Sequence, residues 1–135
     1  MHPGVDGREV TEWFGRYLAA FASCGRGESD TTSLLAYYGV PLLITTDSGF
    51  FALTSGDQIV AAVQPQIDGL RAAGYARSEV LSSKLIILNL ASAVCRHTIS
   101  RRRRDGDEID HLIVTYLITA SAQDCRISLL AVHGS

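Results

Sequence analysis

Lysine is nearly absent from this chain, and so are apolar runs long enough to cross a membrane. Of the 12 basic residues among 135, only Lys84 is a lysine, which points to GC-rich coding and a bacterial source. The net charge is −2. That balance argues against nucleic acid and acidic membranes as partners, because both select a basic protein surface. The longest apolar runs stay well below the ~20 residues of a spanning helix.

Cysteine is also scarce, and its spacing excludes the sites that depend on it. The three residues Cys24, Cys95 and Cys125 are odd in number and form no C-x-x-C pair. Neither a disulfide framework nor a zinc knuckle is therefore indicated. Reduced, buried thiols and an N-terminal stretch without a targeting pattern predict a cytoplasmic protein.

The motifs of several enzyme classes are missing as well. The chain contains no G-x-S-x-G, no P-loop, no G-x-G-x-x-G and no H-E-x-x-H. We therefore expect no cofactor. His97, His111 and His133 could supply imidazoles to a metal, but the strand registers predicted below place His111 on the opposite face from the other two. No metal site is expected either.

The first half of the chain is predicted to be mainly helical. Apolar and aromatic residues recur with helical spacing over residues 8–24, and a short second helix is expected over 32–38. A third helix, over 55–74, opens on the capping sequence Ser55-x-x-Gln58. It contains a proline that lies off its apolar stripe, so a kink is expected unless the break is tolerated on the exposed side.

Strands make up the rest of the predicted structure, which gives an α+β fold. Two apolar runs flank Asp47-Ser48-Gly49, a sequence typical of a β-hairpin. From residue 77 onward the apolar period changes from 3.6 to 2. Three or four long strands are predicted, at about 77–88, 93–104, 107–120 and 125–133. Their turns are predicted at 89–92, 105–106 and 121–124.

The turns fix which strand residues share a face. A two-residue turn at 105–106 sets His97 opposite Val114, and a turn at 121–124 sets Ala120 opposite Cys125. One face, expected to cover the helices, then collects Cys95, His97, Ile99, Leu112, Val114, Tyr116, Ile118, Cys125, Ile127, Leu129, Ala131 and His133. The register of 77–88 stays open, and a bulge is expected there.

The opposite face mixes apolar and polar side chains. It collects Val94, Arg96, Thr98, Ser100, His111, Ile113, Thr115, Leu117, Thr119, Arg126, Ser128, Leu130 and Val132. Such a face is too apolar for solvent alone and too polar for a core, which is typical of a protein–protein interface. We expect a homodimer that pairs through it.

The basic run at 101–104 is followed at once by four acidic residues. The charges cancel at one hairpin tip, and alternation divides the arginines between the two faces. A solvated tip with cross-strand ion pairs is favoured over a phosphate or nucleic-acid site.

Six residues are candidates for a ligand-binding pocket between helices and sheet. The aromatic side chains could line an apolar cavity or simply form core. The imidazoles and the phenol on the sheet could move a proton or polarise a carbonyl, or be core polar groups bonded to backbone or water. The candidates are Trp13, Tyr17, Tyr38, His97, Tyr116 and His133.

The order of elements resembles the nuclear transport factor 2-like superfamily, including its SnoaL-like polyketide-cyclase branch. Local marks are Trp13-Phe14-x-x-Tyr17, the segment LLAYY at 34–38 and the ending DCRISLLAVH at 124–133. That ending is similar to the common last strand G-W-R-I-x-x-x-x-x-H, with Asp124 for Gly and Cys125 for Trp. The chain looks closest to an actinobacterial branch of unknown function.

The resemblance implies a cone-shaped, curved antiparallel sheet wrapped around three N-terminal helices, as in cystatin-like α+β barrels. It implies one domain over residues 1–135, a pocket between sheet and helices, and a dimer through the outer sheet face. The superfamily hosts both enzymes and non-catalytic binders, so the fold does not give the function. Two hypotheses follow. The chain is a homodimeric binder of a small apolar molecule, or a cofactor-free isomerase, dehydratase or cyclase that uses a pocket histidine as general acid or base.

Overall fold

The computed structural model of the chain describes residues 6–120 and 124–133. Its helical part consists of α1 (Gly7–Gly25), a 3₁₀ helix (Thr31–Ala36) and α2 (Gly56–Ala72). The strands are β1 (Tyr38–Thr46), β2 (Gly49–Leu53), β3 (Tyr75–Asn89), β4 (Ser92–Arg103), β5 (Glu108–Ala120) and β6 (Cys125–Val132). The predicted α+β order is therefore confirmed. Apart from its last residue, the turn predicted at 121–124 lies outside the described residues.

Side-chain caps fix where both α-helices begin. The carboxylate of Asp6 accepts a hydrogen bond from the Glu9 backbone N–H at 2.9 Å and so opens α1. At the start of α2, Ser55 Oγ accepts from the N–H of Gln58 at 3.2 Å. The side chain of Gln58 reaches back to the N–H of Thr54 at 2.7 Å. The predicted capping sequence thus satisfies two otherwise unpaired backbone donors.

The second predicted helix is shorter than expected. It is a 3₁₀ helix that ends at Ala36, and Tyr38 already belongs to β1. The backbone carbonyl of Tyr37 accepts a hydrogen bond from the N–H of Ile127 at 2.8 Å, so from this point the chain is hydrogen-bonded to the sheet. Gly39, which directly follows the predicted helix, lies within β1.

The proline of the third predicted helix lies on the solvent side. Pro65 is exposed, and α2 runs through it as one helix. The buried side chains of this helix are Ile59, Val63, Ile67 and Leu70, as the apolar stripe predicted.

The six strands form one curved sheet in the order β2-β1-β6-β5-β4-β3. All neighbouring strands are antiparallel except β1 and β6, which run parallel. The expectation of a wholly antiparallel sheet is therefore wrong at this junction. The two strands come from distant parts of the chain, so no hairpin turn constrains their relative direction.

The predicted pairing of β4 with β5 is confirmed along most of its length. His97 lies opposite Val114, as the turn at 105–106 requires. At the tip the register shifts, and Arg102 lies opposite Glu108. The turn therefore contains one residue more than the predicted two-residue turn, and a bulge compensates for it.

A second bulge changes which residues of β6 face the helices. Ile118 pairs with Ile127 as predicted, but Leu117 pairs with Leu129, so Ser128 is an extra residue in β6. Because side chains alternate, one extra residue exchanges the two faces beyond it. Leu130 and Val132 consequently face the helices. The predicted placement of Leu129, Ala131 and His133 on that face is wrong.

Strand β3, whose register the sequence left open, has the expected bulge. Its register shifts between Val80 and Ser82, and again near each end. Val80 then lies opposite Ile99, and Leu85 lies opposite Cys95. These residues share the inner face, which we define as the sheet face towards α1 and α2. The other face is the outer face.

The core lies between the inner face and the helices. Fully buried side chains from both layers meet there, including Val10, Leu34, Ile67, Ile118 and Ile127. The helices cover one sheet face only, which leaves the outer face without a partner layer in the described chain. Neither α-helix in the described ranges is both long and apolar enough to span a membrane.

Candidate functional site

A cavity of about 290 Å³, the main cavity, opens between the helices and the inner face of the sheet. Tyr17 and Phe21 of α1 and Val63 of α2 form its helical side. The strands contribute a mostly aliphatic floor, with residues Ile44, Ile99, Leu112, Val114, Leu130 and Val132. The size and the apolar lining suit a small organic molecule.

Three of the predicted site residues meet in this cavity. Tyr17 comes from the apolar stripe of α1, Tyr38 from the first position of β1, and Tyr116 from the inner face of β5. Their exposed fractions are 4%, 4% and 5%. The ring centroids of Tyr17 and Tyr116 are 6.2 Å apart. Helical spacing predicted the inward position of Tyr17, and strand alternation that of Tyr116. Tyr38 was expected at the end of a short helix and lies instead at the start of β1.

Two of the three hydroxyl hydrogens in the cluster have no acceptor among the described residues. Tyr17 and Tyr38 share one hydrogen bond of 2.8 Å between their hydroxyl oxygens. One of the two donates, so the hydrogen of the other is left over. The hydroxyl of Tyr116 has no hydrogen-bond partner among residues 6–120 and 124–133. Burial raises the pKa of all three hydroxyls, so they remain protonated at neutral pH.

The polar end of the main cavity contains an ion pair. Arg101 lines the cavity and is 9% exposed. Its Nε and a terminal nitrogen donate to the two carboxylate oxygens of Asp110 at 2.6 and 2.5 Å. The two residues are direct cross-strand neighbours, so an ion pair predicted for the tip is confirmed here. The expectation that this arginine is solvated is wrong, because alternation from His97 through Ile99 carries it to the inner face.

A second cavity, of about 240 Å³, lies beside the first, over β3 and β4. It contains the predicted residue His97, which is 5% exposed, and Cys95. His97 Nε2 and Cys95 Sγ are 3.1 Å apart, while the other ring nitrogen, Nδ1, is buried and has no hydrogen-bond partner in the described chain. Burial lowers the pKa of the imidazole and raises that of the thiol, so both groups are neutral at pH 7.

The lowered pKa of His97 predicts a pH-dependent stability. The unfolded imidazole takes up a proton below about pH 6.5, and the native state resists that uptake. Stability should therefore be full above this pH and fall as the pH decreases through the folded pKa. Cys95 and Tyr116, which face the ring, titrate above pH 7 and do not contribute. Chemical unfolding between pH 7 and 5 should show a shallower pH dependence for His97→Gln than for the wild type.

The comparison variant for this measurement is His111→Gln, which removes an exposed imidazole of the outer face and leaves the buried imidazole of His97 in place. If His97→Gln keeps the wild-type dependence, the buried imidazole is not the group that resists protonation.

The remaining two predicted residues lie away from both cavities. Trp13 is buried by ring contacts with Phe14, Tyr17 and Tyr37, at centroid distances of 5.7 to 6.4 Å, and belongs to the packed core. His133 lies on the outer face, where its Nε2 is 2.6 Å from Thr115 Oγ1. Its predicted place in the pocket is wrong, because the extra residue in β6 reverses the alternation before the strand ends.

Among the described residues, no group of three or more His, Cys, Asp or Glu side chains is arranged to hold a metal ion. The arrangement instead offers an apolar volume with hydroxyl donors at one part of its wall and, at another, the guanidinium of Arg101, which is paired with Asp110 behind it.

A family model described as NTF2-like protein (DUF6841) matches residues 8–135. No curated protein matches the chain in sequence. Among solved structures, an NTF-2 like protein of unknown function from Shewanella oneidensis has a TM-score of 0.69 at 14% identity, covering 93% of this chain and 99% of its own. An NTF2-like protein with a cystatin-like fold from Novosphingobium aromaticivorans has a TM-score of 0.71 at 16% identity, covering 95% and 80%.

A third solved structure is described as a putative calcium/calmodulin dependent protein kinase II association domain from Xanthomonas campestris. It has a TM-score of 0.69 at 17% identity and covers 97% of this chain and 89% of its own. At these identities the structural matches establish a common fold. They do not show an activity.

Proposed function

The chain belongs to the NTF2-like family DUF6841, and from that premise we propose that it binds a small, mostly apolar molecule carrying a hydrogen-bond acceptor in the main cavity. The observation that carries the proposal is the hydroxyl of Tyr116, a donor without a partner in the described chain, set in an apolar wall. The Tyr116 hydroxyl is not among the fully buried atoms without a partner, so it faces the cavity. A ligand carbonyl or ether oxygen there can accept its hydrogen bond, and the apolar body of the ligand supplies affinity by burial.

The tyrosine cluster favours an acceptor such as a ketone over a carboxylate or an amine. The three hydroxyls stay protonated because their pKa values are raised, so they donate but do not take up charge. Arg101 is already neutralised by two hydrogen bonds from its own side chain to Asp110. Binding of an ionised ligand would cost its desolvation free energy, and no free counter-charge in the cavity would offset that cost.

Binding is favoured over the alternative of an isomerase, dehydratase or cyclase. That alternative requires a histidine as general acid or base beside the ligand. His133 lies on the outer face. His97 lines the neighbouring cavity, where its Nε2 contacts Cys95 and its Nδ1 is fully buried, so neither ring nitrogen is open to a ligand carbonyl. The tyrosines that line the main cavity stay protonated near pH 7, because burial raises their pKa. Arg101 is engaged in its ion pair with Asp110.

The test uses 1-tetralone as ligand and isothermal titration calorimetry as the measurement. Tyr116→Phe removes one hydroxyl and keeps the ring, so it should weaken binding by about five- to tenfold, the effect of one hydrogen bond of about 1–1.5 kcal/mol. The hydrocarbon tetralin, which lacks the carbonyl, should bind wild type and variant alike.

The matched control variant is Tyr37→Phe, because Tyr37 packs on Trp13 and lies outside the lining of the main cavity. It should bind 1-tetralone as the wild type does. Absence of binding by both tetralone and tetralin in the wild type would overturn the proposal. Equal loss of tetralin and tetralone affinity in Tyr116→Phe would show that the hydroxyl is not the anchor.

We further propose that the protein is a homodimer through the outer face of the sheet. One apolar row crosses all six strands of that face, with every member paired to the next. The row consists of Ile86, Val94, Leu117, Leu129, Leu43 and Ala52. The neighbouring rows are mainly polar, with Arg96 and Thr115 on one side and Thr119 and Arg126 on the other. An apolar centre with a polar rim is typical of protein interfaces.

A second copy is the occupant that fits this row. A stripe that crosses a sheet from edge to edge can pair with its own image about a two-fold axis, which gives the same contacts twice. An association domain among the structural matches agrees with such a role.

Three free, buried cysteines support a reducing compartment, and we propose the cytoplasm.

A further inference from the structure

Leu18 belongs to the walls of both cavities, and among residues 6–120 and 124–133 it alone lines both. It lies on α1, one position after Tyr17, and its side chain is half-buried. Across from it, β4 presents Ile99 to the main cavity and His97 to the second cavity. These two residues are consecutive on the same strand face, so the cavities are adjacent along the sheet.

The boundary between the cavities is thin elsewhere too. Val80 of the second cavity lies directly opposite Ile99 of the main cavity in the β3–β4 ladder. The ring of Phe14, from the second cavity, is 4.7 Å from the ring of Tyr116. Each of these boundary residues is tied to a strand or to the packed aromatic core. The Leu18 side chain is the part of the boundary that touches both spaces directly.

We propose that the two cavities are compartments of one ligand site and that Leu18, which separates them, determines the length of ligand accepted. This inference rests on the proposed binding function. It assigns the ligand class more narrowly, as a carbonyl compound with an aliphatic tail. The carbonyl takes the tyrosine donors of the main cavity, and the tail points towards the second compartment.

The second compartment has the chemistry to accept such a tail. Its walls include Val10, Phe14, Val80 and Leu85. Its two most polar buried groups, Cys95 and His97, contact each other at 3.1 Å and are both neutral. An aliphatic chain can therefore enter without stripping water from a charge. The compartment adds about 240 Å³ to the 290 Å³ of the main cavity.

The experiment is a titration of a homologous series of 2-alkanones against three purified proteins. In the wild type, affinity should rise roughly fourfold per added methylene while the chain is being buried. It should stop rising at the chain length that meets Leu18. In Leu18→Ala this break should move to longer chains, and the longest members should shift the His97 imidazole resonances in NMR spectra.

Leu112→Ala is the matched control, because it removes the same atoms from a residue that lines the main cavity alone. It should move the break less than Leu18→Ala and leave the His97 resonances unchanged. If Leu18→Ala does not fold, Leu18→Val should move the break in the same direction by a smaller amount.

Each outcome bears on a different claim. Equal shifts of the break in Leu18→Ala and Leu112→Ala, or no shift in either, would overturn the role of Leu18 and leave the binding proposal intact. If the wild type binds no member of the series, and also no tetralone, the binding proposal fails and the inference fails with it.

Discussion

Leu117→Arg should convert the proposed dimer into a monomer. Leu117 is central in the apolar row of the outer face, between Val94 and Leu129. In the proposed dimer it is covered by the second copy, and an arginine there would bury a charge without a counter-ion on either side of the two-fold axis. The penalty of several kcal/mol corresponds to a dissociation constant raised on the order of a hundredfold or more. Light scattering and sedimentation at micromolar concentration provide the measurement.

Leu90→Arg is the control for this substitution. Leu90 is 77% exposed in the turn between β3 and β4, away from the row. The same chemical change there should leave the dimer intact. A wild type that is already monomeric at micromolar concentration would overturn the dimer proposal, as would a Leu117→Arg variant that still dimerises.

Asp110→Asn should destabilise the fold by about 2 kcal/mol, less than the about 3–5 kcal/mol of a fully buried ion pair. The substitution leaves Arg101 in the cavity wall without its counter-charge and weakens two short hydrogen bonds. The expected loss of stability is smaller than for a fully buried pair because the Asp110 side chain is 41% exposed, so water partly screens the charges. Thermal unfolding should show a melting temperature lower by several degrees.

Two further variants separate the ion pair from a general charge effect. Asp107→Asn, at an exposed position of the same hairpin, should change stability by no more than about 0.5 kcal/mol. The double variant Arg101→Met with Asp110→Leu removes both charges together and should recover most of the lost stability. If the double variant is as unstable as Asp110→Asn, desolvation of the unpaired guanidinium is not the cause.

Helices and antiparallel registers could be predicted because short-range rules determine them. The stripe of α1, the cap of α2 and the β4–β5 pairing all follow from spacing within a few residues. The parallel contact between β1 and β6 joins segments far apart in sequence. No local pattern encodes it, so it was missed.

The bulge in β6 escaped prediction for a different reason. Leu129 and Leu130 are both apolar, so either alternation gives an acceptable inner face. The choice between them is made by backbone pairing with β5. His133, at the end of the strand, was misplaced as a direct consequence.

The site residues in regular helices and strands were predicted, whereas the arginine in the charged run was not. Tyr17 and Tyr116 lie in regular elements before any irregularity, and both reach the main cavity. Arg101 is the first of four arginines, and the run suggested a solvated tip. The strand alternation that placed His97 inward also applies to Arg101 four residues later, and it was the stronger signal.

The extra residue in β6 makes the strand respond differently to a lost residue and to a gained one. Because Ile118 pairs with Ile127 and Leu117 with Leu129, loss of Ser128 would close the bulge and leave Leu130 and Val132 in the cavity wall. A residue inserted after Leu129 would instead exchange them for the side chains that now lie on the outer face. The proposed ligand site and the proposed dimer surface are therefore linked through the backbone of one strand. In the evolution of related sequences, deletions at the bulge should be tolerated more often than insertions beyond it.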